Sequence, residues 1–340
     1  MTKLSPVWIP VTIAGLLALL VAAGLWNDVT TGLRQPIHAT KPVRYVVEPG
    51  ATIRKVANDL AGMGVIPHPN YLIFDAHRRH LADRIKSGEY QLPVGTTVAG
   101  VLDIFVAGRV VQHSVTLVEG WNFAEVRAAL EANPAIVDTL KGLDAAALME
   151  RIGHPGEAPE GRFFPDTYHV TLHTTDAELL KRAYRRMNNV LDELWPQRDP
   201  DLPYHSPYDA LIMASLVEKE TAVPQERPEI AGVFVRRLQM GMKLQTDPTV
   251  IYGLGASFDG DLRRHDLQQD TPYNTYVHTG LPPTPIAMPG RASLVAALHP
   301  ADGKALYFVS RGDGSHVFSE TLAQHNKAVA EYQLKHKVRQ

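Results

Sequence analysis

The sequence predicts an α+β protein with an N-terminal transmembrane helix, a small α+β domain and a larger, mainly helical domain carrying a β-hairpin. Three observations lead there. An apolar run without a charge extends from Val7 to Trp26. Behind it, short alternating segments that end in glycine each lead into a helical pattern. From Pro207 onward helical periodicity dominates, broken by one hairpin pattern. A chain of 340 residues is long enough for an anchor and two folded units. The formal net charge is −2 and no long Lys/Arg run occurs, so no nucleic-acid partner is expected. The absence of cysteine excludes a disulfide framework and any thiolate metal site.

The apolar run would cross roughly 30 Å as a helix, the thickness of a bilayer's hydrocarbon layer. Trp8 and Trp26 mark its ends, where aromatic rings favour the headgroup zone. The run exceeds the usual h-region of a cleaved signal peptide, so an uncleaved anchor is expected. Lys3 precedes the span while Arg34, Lys41 and Arg44 follow it, so charge does not orient it. The expected boundaries are a cytoplasmic tail over 1–6, the span over 7–26, a polar linker over 27–43, a small domain over 44–110 and a larger domain over 111–335.

The small domain opens a weak internal repeat. Tyr45–Gly50 leads into a helical pattern over Thr52–Met63, with Ile53, Val56, Ala57 and Leu60 on one face. Glu89–Gly95 leads into Val98–Ala107, and Val115–Gly120 into Phe123–Leu130. Each copy reads as strand, glycine turn, amphipathic helix. The first copy resembles the opening of a LysM-like carbohydrate-binding module. The glycines serve equally well as plain strand–helix turns, so glycan binding here stays open. Pro155–Pro165 and Pro196–Pro207 are breaks around a long helical pattern over Thr174–Leu194. Ala305–Ser310, a turn at Arg311–Gly314 and Ser315–Ser319 form the expected hairpin.

Ser206-Pro207 is a helix start, a capping residue before a first-turn proline. The segment that follows, Tyr208–Val217, is apolar nearly all round and should be a buried helix. It runs directly into Glu218-Lys219-Glu220-Thr221. An acid there has two reasons for a raised pKa: partial burial and the negative end of a helix dipole. A carboxylic acid kept protonated near neutrality suits a general acid for glycosidic cleavage. By itself the segment also fits a solvated helix end. The two glutamates point roughly 200° apart, so only one can face a given cleft.

The segment Ser215-Leu216-Val217-Glu218-Lys219-Glu220-Thr221 resembles the glutamate motif of the YceG-like (MltG-type) endolytic murein transglycosylases. The resemblance continues through Gly241–Gly253, with Gln245-Thr246-Asp247-Pro248, and through Tyr273-Asn274-Thr275-Tyr276. It includes Ala297–Pro300, His316-Val317-Phe318 and His325-Asn326, and upstream Glu119-Gly120 and Glu160–Tyr168. It covers nearly the whole chain and favours a functional glutamate over a solvated helix end.

The resemblance implies a lysozyme-like lytic domain that cleaves within peptidoglycan strands and leaves 1,6-anhydro-N-acetylmuramyl ends. It implies one glutamate for both proton transfers, the muramyl C6 hydroxyl as the attacking group, and no cofactor. Glu220 takes that role by the family's pattern, since Thr221 resembles the Ser that follows the catalytic glutamate in goose-type lysozyme-like enzymes. Glu218, Gln245, Thr246, Asp247, Tyr273 and Asn274 are the expected substrate-binding residues, although Asp247 and Asn274 fit turn caps as well. The resemblance further implies work at the plasma membrane (the inner membrane of a two-membrane cell), with the lytic domain on its outer side, beside peptidoglycan synthases. No His-x-x-x-His pair on one helix with a neighbouring glutamate occurs among the 15 histidines, so no metal is expected. His299, His316 and His325 are expected to pack or hydrogen-bond inside the larger domain. The competing readings are a non-catalytic wall-binding scaffold and a zinc amidase or peptidase.

Overall fold

The computed structural model describes residues 8–334; the tail 1–6, Val7 and residue 335 lie outside them. The chain divides into two compact units. One comprises residues up to His113 with Thr171–His173, and the other comprises Ser114–Val170 with the chain from Thr174 on.

The first unit begins with helix α1 (Trp8–Arg34), of which the stretch from Val11 is long and apolar enough to cross a membrane. Leu16, Leu19, Leu20 and Leu25 are exposed along it. The linker expected over 27–43 is corrected here. The helix continues to Arg34, and Leu33 and Ile37 are buried in the unit's core. Asp28 accepts a hydrogen bond from the Tyr71 hydroxyl at 3.1 Å, and Ile37 N–H donates to Thr96 O at 2.7 Å. Polarity made this stretch look free, but its few apolar side chains face the small domain.

That domain runs β1 (Val43–Val47), α2 (Ile53–Gly62), α3 (Pro69–Arg78), β2 (Gly88–Leu92) and α4 (Val98–Ala107). Strands β1 and β2 pair antiparallel, from Val43 opposite Leu92 to Val47 opposite Gly88. Thr52 and Thr97 cap α2 and α4 with their hydroxyls. Gly50 and Gly95, and Gly120 in the other unit, all have φ near +80°, a conformation that favours glycine and that explains the repeat's spacing.

The second unit starts within β3 (His113–Thr116), followed by α5 (Phe123–Glu131), β4 (Ile136–Val137), α6 (Ala145–Ile152), β5 (Thr167–Val170), β6 (Thr174–Thr175) and α7 (Asp176–Leu194). Strand β3 pairs with β5, and β4 runs parallel to β6. Next come α8 (Pro207–Glu220), α9 (Arg227–Gln239), α10 (Asp247–Leu254) and α11 (Arg291–Leu298). Hairpin β7 (Tyr307–Ser310) and β8 (His316–Ser319) and then α12 (Leu322–Val329) complete the unit. Helix α8 is the hub. Every residue from Ala210 to Val217 is buried, in a core shared with Phe234 of α9 and Leu294 and Leu298 of α11. Ser206 caps its start, as the sequence predicted. Ser215, fully buried, donates to Ile212 O and accepts from Ile286 N–H, tying the loop before α11 to the helix.

Candidate active site

A cleft of about 540 Å³ opens beside the C-terminal end of α8. Glu220 lines it together with Arg237, Gln245, Asp247, Tyr276, Tyr307, His316 and His325. Glu220 is the last residue of a helix whose preceding turns are buried, and Thr221 leaves the helix in extended conformation. Its carboxylate is crowded by protein on most sides and open toward the cleft. The Thr246 hydroxyl donates to Glu220 Oε2 at 2.6 Å. Burial, and secondarily the nearby Asp247 carboxylate, push Glu220 up to about 7, against the pull of the Thr246 hydrogen bond, His316 and Arg237. A carboxyl with that value holds or releases a proton near neutrality.

A buried threonine set positions the loop that faces Glu220. Thr246, Thr249 and Thr275 have almost no exposed surface. Thr246 N–H donates to the Thr275 hydroxyl at 3.1 Å, Thr249 donates to Thr246 O at 2.7 Å, and the Thr249 and Thr275 hydroxyls lie 2.8 Å apart. Gln245 enters the loop at φ 51°, an unusual conformation for a side chain of its size, and its N–H donates to Thr275 O. Asp247 is the first residue of α10, and it accepts from the Tyr276 hydroxyl at 2.6 Å. Arg237 joins both walls: it donates to Leu306 O before the hairpin and to Leu244 O before the loop, and its guanidinium lies over the Tyr307 ring.

The expected site residues therefore separate. Glu220, Gln245, Thr246 and Asp247 come together at the cleft. Glu218 does not line it: Glu218 Oε2 accepts from Gly290 N–H at 2.9 Å, and its other oxygen lies 3.6 Å from Arg227. Tyr273 stacks edgewise on Tyr252 with its hydroxyl at Thr284, away from the cleft. Asn274 has no exposed surface; its amide donates to Asp266 O and Gln269 O while its oxygen accepts from Tyr276 N–H. It braces the turn that presents Tyr276 and cannot itself reach a ligand, which corrects its assignment in favour of the turn-cap reading. His299 bonds Asp199, His316 bonds Glu226 and His325 stacks on Tyr307, all inside this unit. Sequence reasoning missed Arg237, Tyr276, Tyr307 and His316 as cleft residues. The pair Arg236-Arg237 in the otherwise apolar stretch Val233–Leu238 was the available signal for the first.

A family model described as "YceG-like family" matches residues 45–331. The chain belongs to the YceG-like family. Among relatives, it is 33% identical over 271 residues to the endolytic murein transglycosylase of Bacillus subtilis (strain 168), covering 74% of each chain. It is 25% identical to that of Streptococcus pneumoniae serotype 2 (strain D39 / NCTC 7466), covering 93% of this chain and 63% of the relative, just under two thirds of its length. A crystal structure of a YceG-like protein of Listeria monocytogenes superposes with a TM-score of 0.55 at 27% identity, covering 85% of this chain and 99% of that one. The YceG-like match thus spans both the strand–helix repeats and the α8 cleft.

Proposed function

We propose that this YceG-like protein is an endolytic peptidoglycan transglycosylase with Glu220 as its general acid and base. The observation that carries the reading is a carboxyl at the end of a buried helix, raised to about 7 and open to a polar cleft. The names of the relatives support the substrate class. In the proposed reaction Glu220 gives its proton to the glycosidic oxygen leaving from the MurNAc anomeric carbon. The resulting carboxylate takes the proton of the muramyl C6 hydroxyl as that oxygen bonds to the same carbon. One glycosidic bond breaks, one intramolecular ether bond forms, and Glu220 ends protonated as it began. No water enters, in contrast to hydrolysis by two carboxylates. Gln245, Asp247 and Tyr276 offer hydrogen-bonding groups to the sugar, and Tyr307 an aromatic face.

Mass spectrometry of fragments released from uncrosslinked glycan by the full-length protein in detergent tests this. Anhydro-ended fragments are expected. Reducing-ended fragments would mean that water attacks, with Asp247 as the candidate second carboxylate because it lines the same cleft. We further propose that α1 is retained as a single-pass plasma-membrane anchor, with the lytic unit outside, where it ends nascent strands beside peptidoglycan synthases. The exposed leucines of α1 support the anchor. Recovery of a soluble mature chain lacking it would defeat that part. The small domain, with a cavity of about 670 Å³ lined by Gly50, Thr52, Arg54 and His77, is proposed as a LysM-like glycan-holding module.

A further inference from the structure

The wall of the cleft contains a carboxylate–imidazole pair that the single-glutamate scheme does not use. His316 opens strand β8, and its side chain is mostly buried yet lines the cleft with Glu220. Glu226 holds it twice: Glu226 Oε1 accepts from His316 N–H at 2.8 Å, and Glu226 Oε2 lies 2.7 Å from His316 Nδ1. The Thr221 hydroxyl, on the residue next to Glu220, also donates to Glu226 Oε2, at 3.3 Å. Three contacts on one carboxylate fix the imidazole's position, and the Phe308 ring packs edgewise against it. Burial would raise Glu226, but the bonds from His316 and Thr221 outweigh it and hold the acid below the usual range, so it is a carboxylate that only accepts. With Nδ1 held by Glu226, Nε2 is the ring nitrogen left for a ligand in the cleft. Among the described residues the hydrogen bonds of His316 go to Glu226 through its N–H and Nδ1.

Building on the activity proposed above, we infer that His316 is a substrate-contacting residue whose Nε2 hydrogen-bonds the glycan in the cleft, with Glu226 as its positioning residue. The pair sets which hydrogen-bonding group the sugar meets beside Glu220, and it ties that group through Thr221 to the end of α8.

Amide side chains separate a substrate contact from a structural clamp. The nitrogen of Asn overlays Nδ1 of histidine, so His316→Asn keeps the bond to Glu226 and loses the cleft-side hydrogen-bonding group. The amide of Gln reaches the place of Nε2, so His316→Gln keeps a hydrogen-bonding group there and loses the bond to Glu226. Full-length variants are assayed by kcat and KM for release of fragments from uncrosslinked glycan, with thermal melting as the folding control. The expected result is that His316→Asn melts like the wild type and loses about 10- to 100-fold in kcat/KM, while His316→Gln keeps more activity than Asn. A fully active Asn variant beside an inactive Gln variant overturns the inference and leaves His316 a clamp for Glu226. If His316→Asn melts early, the comparison passes to His316→Gln against His316→Ala. At least about tenfold more activity in Gln supports the cleft-side contact, and equal activity defeats it. A wild-type protein that releases no anhydro-ended fragments sinks the proposed activity itself, whereas normal wild-type cleavage with a fully active Asn variant sinks only the role of His316.

Discussion

Glu220 and Glu160 sit in the same unit, and burial pushes both up to about 7. Their surroundings are otherwise opposed. Glu220 has one strong hydrogen bond, from Thr246, and an open side facing a cleft. Glu160 is enclosed, with Phe123 N–H 3.1 Å from each of its oxygens and the Tyr252 hydroxyl at 3.0 Å. It joins the start of α5 to α10. A raised acid is thus not by itself a catalytic one: desolvation moves both, and access for a reacting atom distinguishes them. Glu218, two residues from Glu220, completes the contrast, since its carboxylate is held by Gly290 and Arg227 outside the cleft.

The largest effect that would sharpen this comparison is Glu220→Gln. It should lower kcat by about 10²–10⁴-fold, the usual contribution of a general acid–base group, while the protein stays folded. Normal cleavage by this variant would break the distinction outright. The pH dependence comes next. Because the reaction begins from the protonated acid, kcat should fall as pH rises through about 7, approaching tenfold per unit well above it. A rate that climbs steadily from pH 6 to 9 would contradict the assignment.

Glu160 should respond in stability instead. Tyr252→Phe leaves its buried carboxyl short of a donor and should cost about 1–3 kcal/mol, seen as a drop in Tm of several degrees with kcat of the folded protein nearly unchanged. A loss of kcat as deep as that of Glu220→Gln would make the enclosed acid part of the chemistry.

A smaller effect follows from linkage. An acid whose folded pKa is raised binds its proton more tightly in the native chain than in the unfolded one. Its contribution to stability is therefore fully present below about 4.5, the unfolded value, and is lost as pH rises toward about 7. Glu220→Gln removes this loss and should melt roughly 2–5 °C above the wild type at pH 8, with the gap closing near pH 5. An equal Tm at both values would mean that the site does not desolvate the carboxyl. The smallest expected change is in Glu218→Gln, which keeps an acceptor for Gly290 N–H and should cut activity by only a few fold. A dead Glu218 variant beside an active Glu220 variant would reverse the two roles.

Local chemistry made much of this legible. The glycines of the repeat, the Ser206-Pro207 helix start, the apolar helix behind it and the hairpin are dictated by residues close in sequence, through turn conformation, capping and periodicity. The helical twist alone separates Glu218 from Glu220. What local chemistry could not reveal is which polar residues share a cleft. Asn274 and Asp247 carry the same turn-forming signal, yet the first is sealed inside its turn and the second lies in the cleft, a difference made by how the loop packs on the buried threonines. The stretch 27–43 reads as a linker because polar residues with Pro36 and Pro42 run through it, and only the small domain's surface decides that Leu33 and Ile37 are buried. Glu226 and His316 lie ninety positions apart. Sequence could place each at the edge of an element, but only the packing of the hairpin on α9, just after Glu226, brings carboxylate and imidazole together, because a hydrogen bond depends on distance in space and not on separation along the chain.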